Sequence, residues 1–353
     1  MLGLIVFSFI LYYILSIYYF EGLKGRERTI FFALSCAIAA MIIGIRNPLA
    51  WSDSAVYYQE FIDNIKPLSE TSSSDRPVNY GEMGFFYLGV ISKTLSNSST
   101  FYFIFISAIT MLFLFWGIKK YSIFPFIALY IYLGRFVNRN TIQIRSAIAI
   151  AIVIWGTVYV TKRKLWKYLL VVFIASRFHT SAYLAFPLYF MGYVNIKRSY
   201  IYLGIFASLM IAAYFGGTIR DIVSQSDIAN EWARSYIEEG SEKSYSNDLT
   251  NPMIWYQIAI LFFLTINEDI LSKMTEHYYT IRNAYFYSTI ILIVLCQYAI
   301  LAGRTSTIFA TYECLMIPFF PYVFSNATLK NILLFGIGIV YAIFFYLNVH
   351  NYM

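Results

Sequence analysis

The sequence predicts an all-α, polytopic membrane protein with about twelve transmembrane helices. Of its 353 residues, 59% are hydrophobic and only 13% are charged, whereas soluble domains carry about 25% charged residues. Apolar runs long enough to cross a hydrocarbon core of about 30 Å recur from one end of the chain to the other. We therefore expect one integral membrane domain over 1–353, without a separate soluble domain.

The predicted spans follow the apolar runs along the chain. The first run begins at Leu2 with no basic region before it and no cleavage site after it, so it is interpreted as a retained helix. The run 84–95 is too short to span and is expected to form an interfacial or re-entrant helix. The span 167–177 is short because the chain near Arg177 and His179 is expected to lie in a cavity. Spans are expected at 2–20, 29–45, 99–118, 122–136, 140–160, 167–177, 179–195, 200–218, 253–266, 284–302, 306–324 and 331–349.

The short basic loops fall on one predicted side of the membrane. They are "KGRER" (24–28), Lys119–Lys120, "KRKLWK" (162–167), Lys197–Arg198, 267–283 and Lys330. The positive-inside rule makes this side cytoplasmic. Two longer polar loops, about 46–98 and 219–252, then face outward.

The outward side carries more arginine than topology explains. It holds 12 of the 26 basic residues, and nine of these are arginines: Arg46, Arg76, Arg135, Arg139, Arg145, Arg177, Arg220, Arg234 and Arg304. A guanidinium donates two parallel hydrogen bonds to phosphate and keeps its charge when partly buried. The pattern therefore indicates a site for a phosphorylated or pyrophosphorylated lipid head group, and the net charge of +7 is assigned to it and to topology rather than to nucleic acid. Salt bridges to Asp53, Glu82 or Glu313 are the alternative, and they would account for two or three of the arginines.

The motif "IGIRNPLAWSDSAVYY" (43–58) follows the end of a predicted span. In one interpretation Arg46 binds an anion, while Asp53 acts as a base or orients a sugar hydroxyl. In the other the motif is a helix end, followed by a new helix with Asp53 as its N-cap.

Three further candidates lie in "GRFVNRNTIQIRSAIAIAIVIW" (134–155). Arg135 and Arg139 are four residues apart. Arg145 precedes a wholly apolar run and cannot easily reach water, so it is expected to face the bundle interior with a partner.

The stretch "FIASRFHTSAYLAFPLYF" (173–190) holds His179, the one histidine of three that falls in a predicted membrane region. The neighbouring Arg177 disfavours an imidazolium, and a neutral imidazole can accept a proton from a sugar hydroxyl. A neutral histidine satisfied by a serine is the alternative.

Motifs for other chemistries are missing from the sequence. The cysteines Cys36, Cys296 and Cys314 fall inside apolar runs and are interpreted as core residues. The sequence has no P-loop, dinucleotide fingerprint, nucleophile elbow or zinc-type cluster. We expect neither a metal nor a cofactor.

Four motifs together resemble the EpsG-type family of bacterial polysaccharide gene clusters, which includes many Wzy-type O-antigen polymerases. They are "GIR…SD…Y" (44–57), "IRSAIAIAI" (144–152), "RFHTSAYLAFP" (177–187) and "GRTSTIFATYE" (303–313). They occur in the family's order and cover most of the chain. The family's usual "IRQ" reads "IRS" at 144–146, so no role for a glutamine carries over.

The resemblance implies an inner-membrane polymerase with a GT-C-like architecture. It would join undecaprenyl-pyrophosphate-linked oligosaccharides at the periplasmic face, with membrane lipid and a chain-length regulator protein as partners. The resemblance makes Arg145, Arg177 and Arg304 the pyrophosphate ligands, supported by Arg46, Arg135 and Arg139. His179 is the first choice for activating the acceptor hydroxyl, and Asp53 is the second.

Two other functions fit the same features. A flippase of lipid-linked oligosaccharide would also use buried arginines, but the inverted repeats that are common in transporters are not evident. An O-antigen ligase is separated from a polymerase only weakly by sequence.

Overall fold

The computed structural model describes residues 2–76, 81–225 and 248–350, and every regular element in these ranges is helical. The helices are α1 Leu2–Tyr18, α2 Gly25–Gly44, α3 Ser52–Asp63, α4 Met83–Leu95, α5 Ser99–Tyr121, α6 Pro125–Thr141, α7 Ile144–Gly156, α8 Val158–Thr161, α9 Leu165–Ser176, α10 Leu188–Gly192, α11 Arg198–Gln225, α12 Pro252–Ile266, α13 Glu268–Met274, α14 Tyr278–Val294, α15 Ala299–Ala310, α16 Glu313–Met316 and α17 Ala327–Val349. Short 3₁₀ segments connect several of them, including Thr180–Ala185 and Ile317–Val323. The predicted all-α class is confirmed over these residues.

Six helices in the described ranges are long and apolar enough to cross a membrane. They are Leu2–Gly22, Gly25–Gly44, Ser99–Tyr121, Ile144–Thr161, Arg198–Phe215 and Ala327–Val349. The pair α12 and α13 gives a seventh candidate if the 82° bend between them lies within one span. The protein is therefore a polytopic membrane protein, and each of these candidates overlaps a predicted span.

Other predicted spans correspond to shorter or broken helices. The predicted span 179–195 consists of the 3₁₀ segment Thr180–Ala185 and the five-residue α10, with Pro187 between them. The predicted span 306–324 ends in Ile317–Val323, which contains two prolines. Proline has no N–H to donate and clashes with the preceding turn, so apolar sequence alone does not make these segments continuous helices.

The two predicted outer loops differ in what can be described. The first, about 46–98, contains α3 and α4, and α4 lies at the segment 84–95 that was expected to be helical. Most of the second, about 219–252, lies outside the described residues.

The chain divides into two compact units, and the predicted single domain stays a prediction. The first unit comprises Met1–Phe186 and Cys314–Met353. Its helix α5 packs between α2 and α7, while α6 packs against α1 and α17. Tyrosine hydroxyls tie the last helix to the others, because Tyr13 donates to the Leu334 carbonyl (2.6 Å) and Tyr130 to the Gly338 carbonyl (2.7 Å).

The second unit is Pro187–Glu313. Its helix α14 packs against α10, α11, α12 and α15. The fully buried Arg282 donates to Glu268 Oε2 (2.8 Å) and to the Ile196 carbonyl (2.8 Å). Asn283 donates to the carbonyls of Met191 and Val194. Buried polar side chains thus satisfy the irregular backbone between α10 and α11, which otherwise would lack hydrogen-bond partners.

Candidate active site

Arg145 lies at the start of α7 in the first unit. A cation in the first turn of a helix faces the positive end of the helix dipole, which is unfavourable unless an anion is near. The structure supplies one, because Arg145 Nη1 lies 2.9 Å from Glu82 Oε2. Arg145 Nε donates to the Tyr57 hydroxyl oxygen at 2.9 Å. The predicted inward-facing arginine with a partner is therefore observed.

Glu82 connects Arg145 to the turn that carries the candidate histidine. Its second carboxylate oxygen, Oε1, accepts a hydrogen bond of 2.7 Å from the backbone N–H of Thr180. Thr180 directly follows His179 and begins the 3₁₀ segment Thr180–Ala185. The Glu82 carboxylate thereby links Arg145 to Thr180, which lies 35 residues later in the sequence. The side chain of Glu82 is 11% exposed and that of Arg145 is 23% exposed.

The chain around Glu82 closes against the same two segments. Gly81 has a φ of +62°, in the left-handed region that favours glycine, and a Cβ there would meet the guanidinium of Arg145. A Cβ on Gly84 would lie 2.6 Å from the Arg177 carbonyl oxygen. Phe85 N–H donates to that oxygen at 3.2 Å. Gly84 therefore permits a close approach of two backbone segments that a larger residue would block, and the positive φ of Gly81 favours glycine next to Arg145.

Arg177 caps the C-terminus of α9, where a cation is favourable. Its guanidinium lies over the Phe173 ring, with Cζ 4.7 Å from the centroid, and donates to the Tyr183 hydroxyl at 2.8 Å. It also donates to Ser176 Oγ at 3.2 Å. The exposed guanidinium is thus held in one orientation by neighbours on its own segment.

His179 forms the N-cap of the 3₁₀ segment. Its Nδ1 accepts a hydrogen bond from Ser181 N–H (3.2 Å) and lies 2.6 Å from Ser181 Oγ. Acceptance at Nδ1 assigns the proton of the neutral imidazole to Nε2. The serine contact of the alternative interpretation is present, the ring is half-buried, and the backbone N–H that contacts Glu82 belongs to the next residue, Thr180.

Asp53 and Tyr57 lie one turn apart on α3. The N-cap of this helix is Trp51, and Asp53 falls in the first turn, so the predicted N-cap role of Asp53 is wrong. Burial raises the pKa of the Tyr57 phenol above its ordinary value, although Arg145 acts in the opposite direction. Tyr57 therefore faces Arg145 as a neutral hydroxyl, with the Asp53 carboxylate on the same helix.

Arg46 holds helix ends together. It donates to the Ile43 carbonyl (2.7 Å), to Ser54 Oγ (3.0 Å) and to the Thr141 carbonyl (3.0 Å). Its guanidinium carbon lies 4.5 Å from the Phe103 ring centroid. These contacts join the ends of α2 and α6 to the start of α3, next to Asp53.

Arg135 and Arg139 lie near a kink in α6. Phe136 has non-helical angles (φ −124°, ψ 15°), and both guanidinium groups approach its ring, at 5.6 Å and 4.7 Å. Arg135 also lies 4.8 Å from the Phe344 ring of α17. Aromatic faces stabilise these cations within the bundle.

Arg304 lies in α15 and Glu313 at the start of α16, both in the second unit. Glu313 accepts a hydrogen bond from the Tyr285 hydroxyl at 3.2 Å. The role of Arg304 stays a prediction.

Glu82 contacts Arg145 and the Thr180 N–H, and Arg145 contacts Tyr57, so these residues form one cluster within the first unit. A family model, described as the EpsG family, matches residues 29–353. The chain belongs to the EpsG family. Neither the comparison with curated proteins nor that with solved structures returned a significant match.

Glu82 is the residue of this EpsG-family site that sequence reasoning undervalued. The sequence offers Glu82 only as a salt-bridge partner for an arginine, and that alternative is correct for Arg145. The available signal was the pair of glycines in "GEMG" (81–84), just before an apolar helix. Among residues 2–76, 81–225 and 248–350, no three His, Cys, Asp or Glu side chains form a group that could hold a metal ion.

Proposed function

We propose that this EpsG-family protein is a polymerase of bacterial surface polysaccharide. It transfers the growing glycan from undecaprenyl pyrophosphate to the non-reducing-end sugar of a new lipid-linked repeat unit, in O-antigen or exopolysaccharide synthesis. The observation that carries the proposal is the cluster of Arg145, Arg177 and His179 in one unit of a family member whose helices are long and apolar.

The proposed reaction is an inverting displacement at the anomeric carbon. The acceptor hydroxyl oxygen attacks this carbon, and the bond from the carbon to the pyrophosphate oxygen breaks. Arg145 and Arg177 stabilise the charge that develops on the departing pyrophosphate, as fixed cations do at other developing anions. Arg304, Arg46, Arg135 and Arg139 are kept as supporting candidates on sequence grounds.

The acceptor proton passes to His179. Because Ser181 Oγ lies 2.6 Å from Nδ1, the serine hydroxyl gives its proton to Nδ1 and takes the proton of the sugar hydroxyl. Asp53 is the second candidate base, supported by its place one turn from Tyr57 and thereby near Arg145.

The location, architecture and partners of the protein are part of the same proposal. The protein lies in the inner membrane as a GT-C-like bundle of about twelve spans, the number that the sequence predicts, with α4 outside that number as an interfacial or re-entrant helix. The site faces the periplasm and uses neither a metal nor another cofactor. A chain-length regulator protein is a proposed partner.

A deletion strain tests the function. Polymerase loss is expected to leave lipid A-core bearing a single repeat unit, and the wild-type gene is expected to restore the ladder of polysaccharide bands on a gel. His179→Ala and Arg177→Ala are expected to leave the single-unit band at normal protein level.

Two results would reject the polymerase. If deletion leaves the core uncapped and repeat units collect on the carrier at the cytoplasmic face, the protein is a flippase. If they collect at the periplasmic face, it is a ligase.

A further inference from the structure

Glu82 occupies the N-cap of α4 without capping that helix. An N-cap side chain ordinarily accepts a hydrogen bond from an N–H of its own first turn. The Glu82 carboxylate makes no such bond, and both of its oxygens instead accept from elsewhere, Oε2 from Arg145 and Oε1 from the Thr180 N–H. The helix start is therefore built around contacts to other segments.

Two independent features support this. Gly81 and Gly84 leave out the Cβ atoms that would collide with the Arg145 guanidinium and the Arg177 carbonyl. Phe85, which is fully buried, donates its N–H to the Arg177 carbonyl and packs edge-on against Tyr57, with ring centroids 5.5 Å apart. Four of five consecutive residues, 81–85, thus contact Arg145, Tyr57 or the turn 177–180.

We infer that Glu82 is a positioning residue of the site, which holds the Arg145 guanidinium at a fixed place relative to the turn bearing Arg177 and His179. This inference rests on the proposed polymerase function and deepens it. Arginine on a long flexible stem binds a transition state well only when its place is set beforehand, because the ordering cost is then met before the reaction. Since both carboxylate oxygens already accept hydrogen bonds, the geometry assigns Glu82 this role rather than that of a base.

The two contacts of Glu82, to Arg145 and to the Thr180 N–H, can be separated by substitution. Glu82→Gln keeps an oxygen for the Thr180 N–H but removes the charge that pairs with Arg145. Glu82→Ala removes both contacts. Glu70→Gln is the matched control, because Glu70 is an exposed carboxylate on the same outer segment.

The first measurement is elongation by purified full-length protein in liposomes, with lipid-linked repeat unit extracted from the deletion strain. Glu82→Ala is expected to lower kcat/KM about 100-fold, the cost of misplacing a catalytic group by about 1 Å. Glu82→Gln is expected to lower it less, and Glu70→Gln to leave it unchanged. In an Arg145→Lys background, Glu82→Gln is expected to change kcat/KM by no more than about twofold. Its effect is smaller there because the effects of groups that act through one another are not additive.

The second measurement needs no turnover. Hydrogen exchange of the peptide that contains Thr180 is expected to rise in Glu82→Ala and to stay at the wild-type rate in Glu82→Gln and Glu70→Gln. The inference is overturned if Glu82→Ala elongates like wild type, if Glu82→Gln costs the same factor in both backgrounds, or if Thr180 exchange is unchanged by Glu82→Ala. A wild-type protein that cannot elongate instead rejects the polymerase, whatever the exchange result.

Discussion

Arg145 shows how single residues reveal this site. A cation is unfavourable both inside an apolar segment and at the N-terminus of a helix, and Arg145 combines the two at the start of α7. The Glu82 carboxylate and the Tyr57 hydroxyl compensate it. Such a costly arrangement, placed next to His179 through Thr180, is typical of a functional site rather than of packing.

The proton path makes a prediction at the residue scale. His179→Ala is expected to lower the initial rate of elongation about 100-fold or more, the usual contribution of a general base. Ser181→Ala is expected to lower it by a similar factor, and the double variant by no more than either single one, because both residues lie on one path. The rates are measured with purified variants on extracted lipid-linked repeat unit.

Thr180→Ala is the control for this path, because the Glu82 contact uses only the Thr180 backbone N–H. Full activity of His179→Ala together with an inactive Asp53→Asn would move the base to Asp53.

The candidate residues could be predicted from sequence to different degrees. Arg145 can be singled out from the sequence alone, because an arginine directly before an apolar run is energetically unfavourable. The same argument predicts that it has a partner. The identity of that partner does not, because Glu82 lies 63 residues away and its N-cap position gives no local sign of a distant contact.

At the scale of elements, buried charges hold the connection between α10 and α11. Arg282 is expected to contribute strongly to stability, since its loss leaves the buried Glu268 with the half-exposed Arg198 and the Tyr279 hydroxyl as partners. Arg282→Met is expected to lower the free energy of unfolding by about 3 kcal/mol, the lower end for a broken buried pair. Equilibrium unfolding in detergent micelles measures this.

Two matched variants complete that test. Arg198→Met is expected to cost much less stability than Arg282→Met, because the Arg198 side chain is 38% exposed and its ion pairs are screened by water. Arg282→Met with Glu268→Met is expected to recover part of the loss. An equal loss in the free energy of unfolding for Arg282→Met and Arg198→Met would contradict a stabilising role of the buried Arg282 ion pair.

The elements were predictable where hydropathy and backbone preference agree. Long uninterrupted runs such as Ser99–Tyr121 and Ala327–Val349 are helices as expected. The segments 179–195 and 306–324 were also predicted from apolar runs, but they contain proline and short 3₁₀ turns. Hydropathy reports burial, whereas continuity depends on the backbone N–H groups that proline lacks.

At the scale of the whole molecule, the family match covers residues 29–353, and the chain divides into two units. The first unit contains Arg145, Arg177, His179 and Asp53, and the second contains Arg304. An all-α membrane protein follows from composition alone. The division into two units cannot be predicted in this way, because an apolar run shows that a helix can lie in lipid but not which other helices it packs against.

Reconstitution tests the polymerase most directly. Purified wild-type protein is placed in liposomes with extracted lipid-linked repeat unit as the only substrate, and products are separated by chain length. The account predicts chains of two, three and more repeat units, one undecaprenyl pyrophosphate released for each new bond, and elongation that is about 100-fold or more slower in His179→Ala. Substrate that remains a single unit, or that merely crosses the bilayer, would contradict the account.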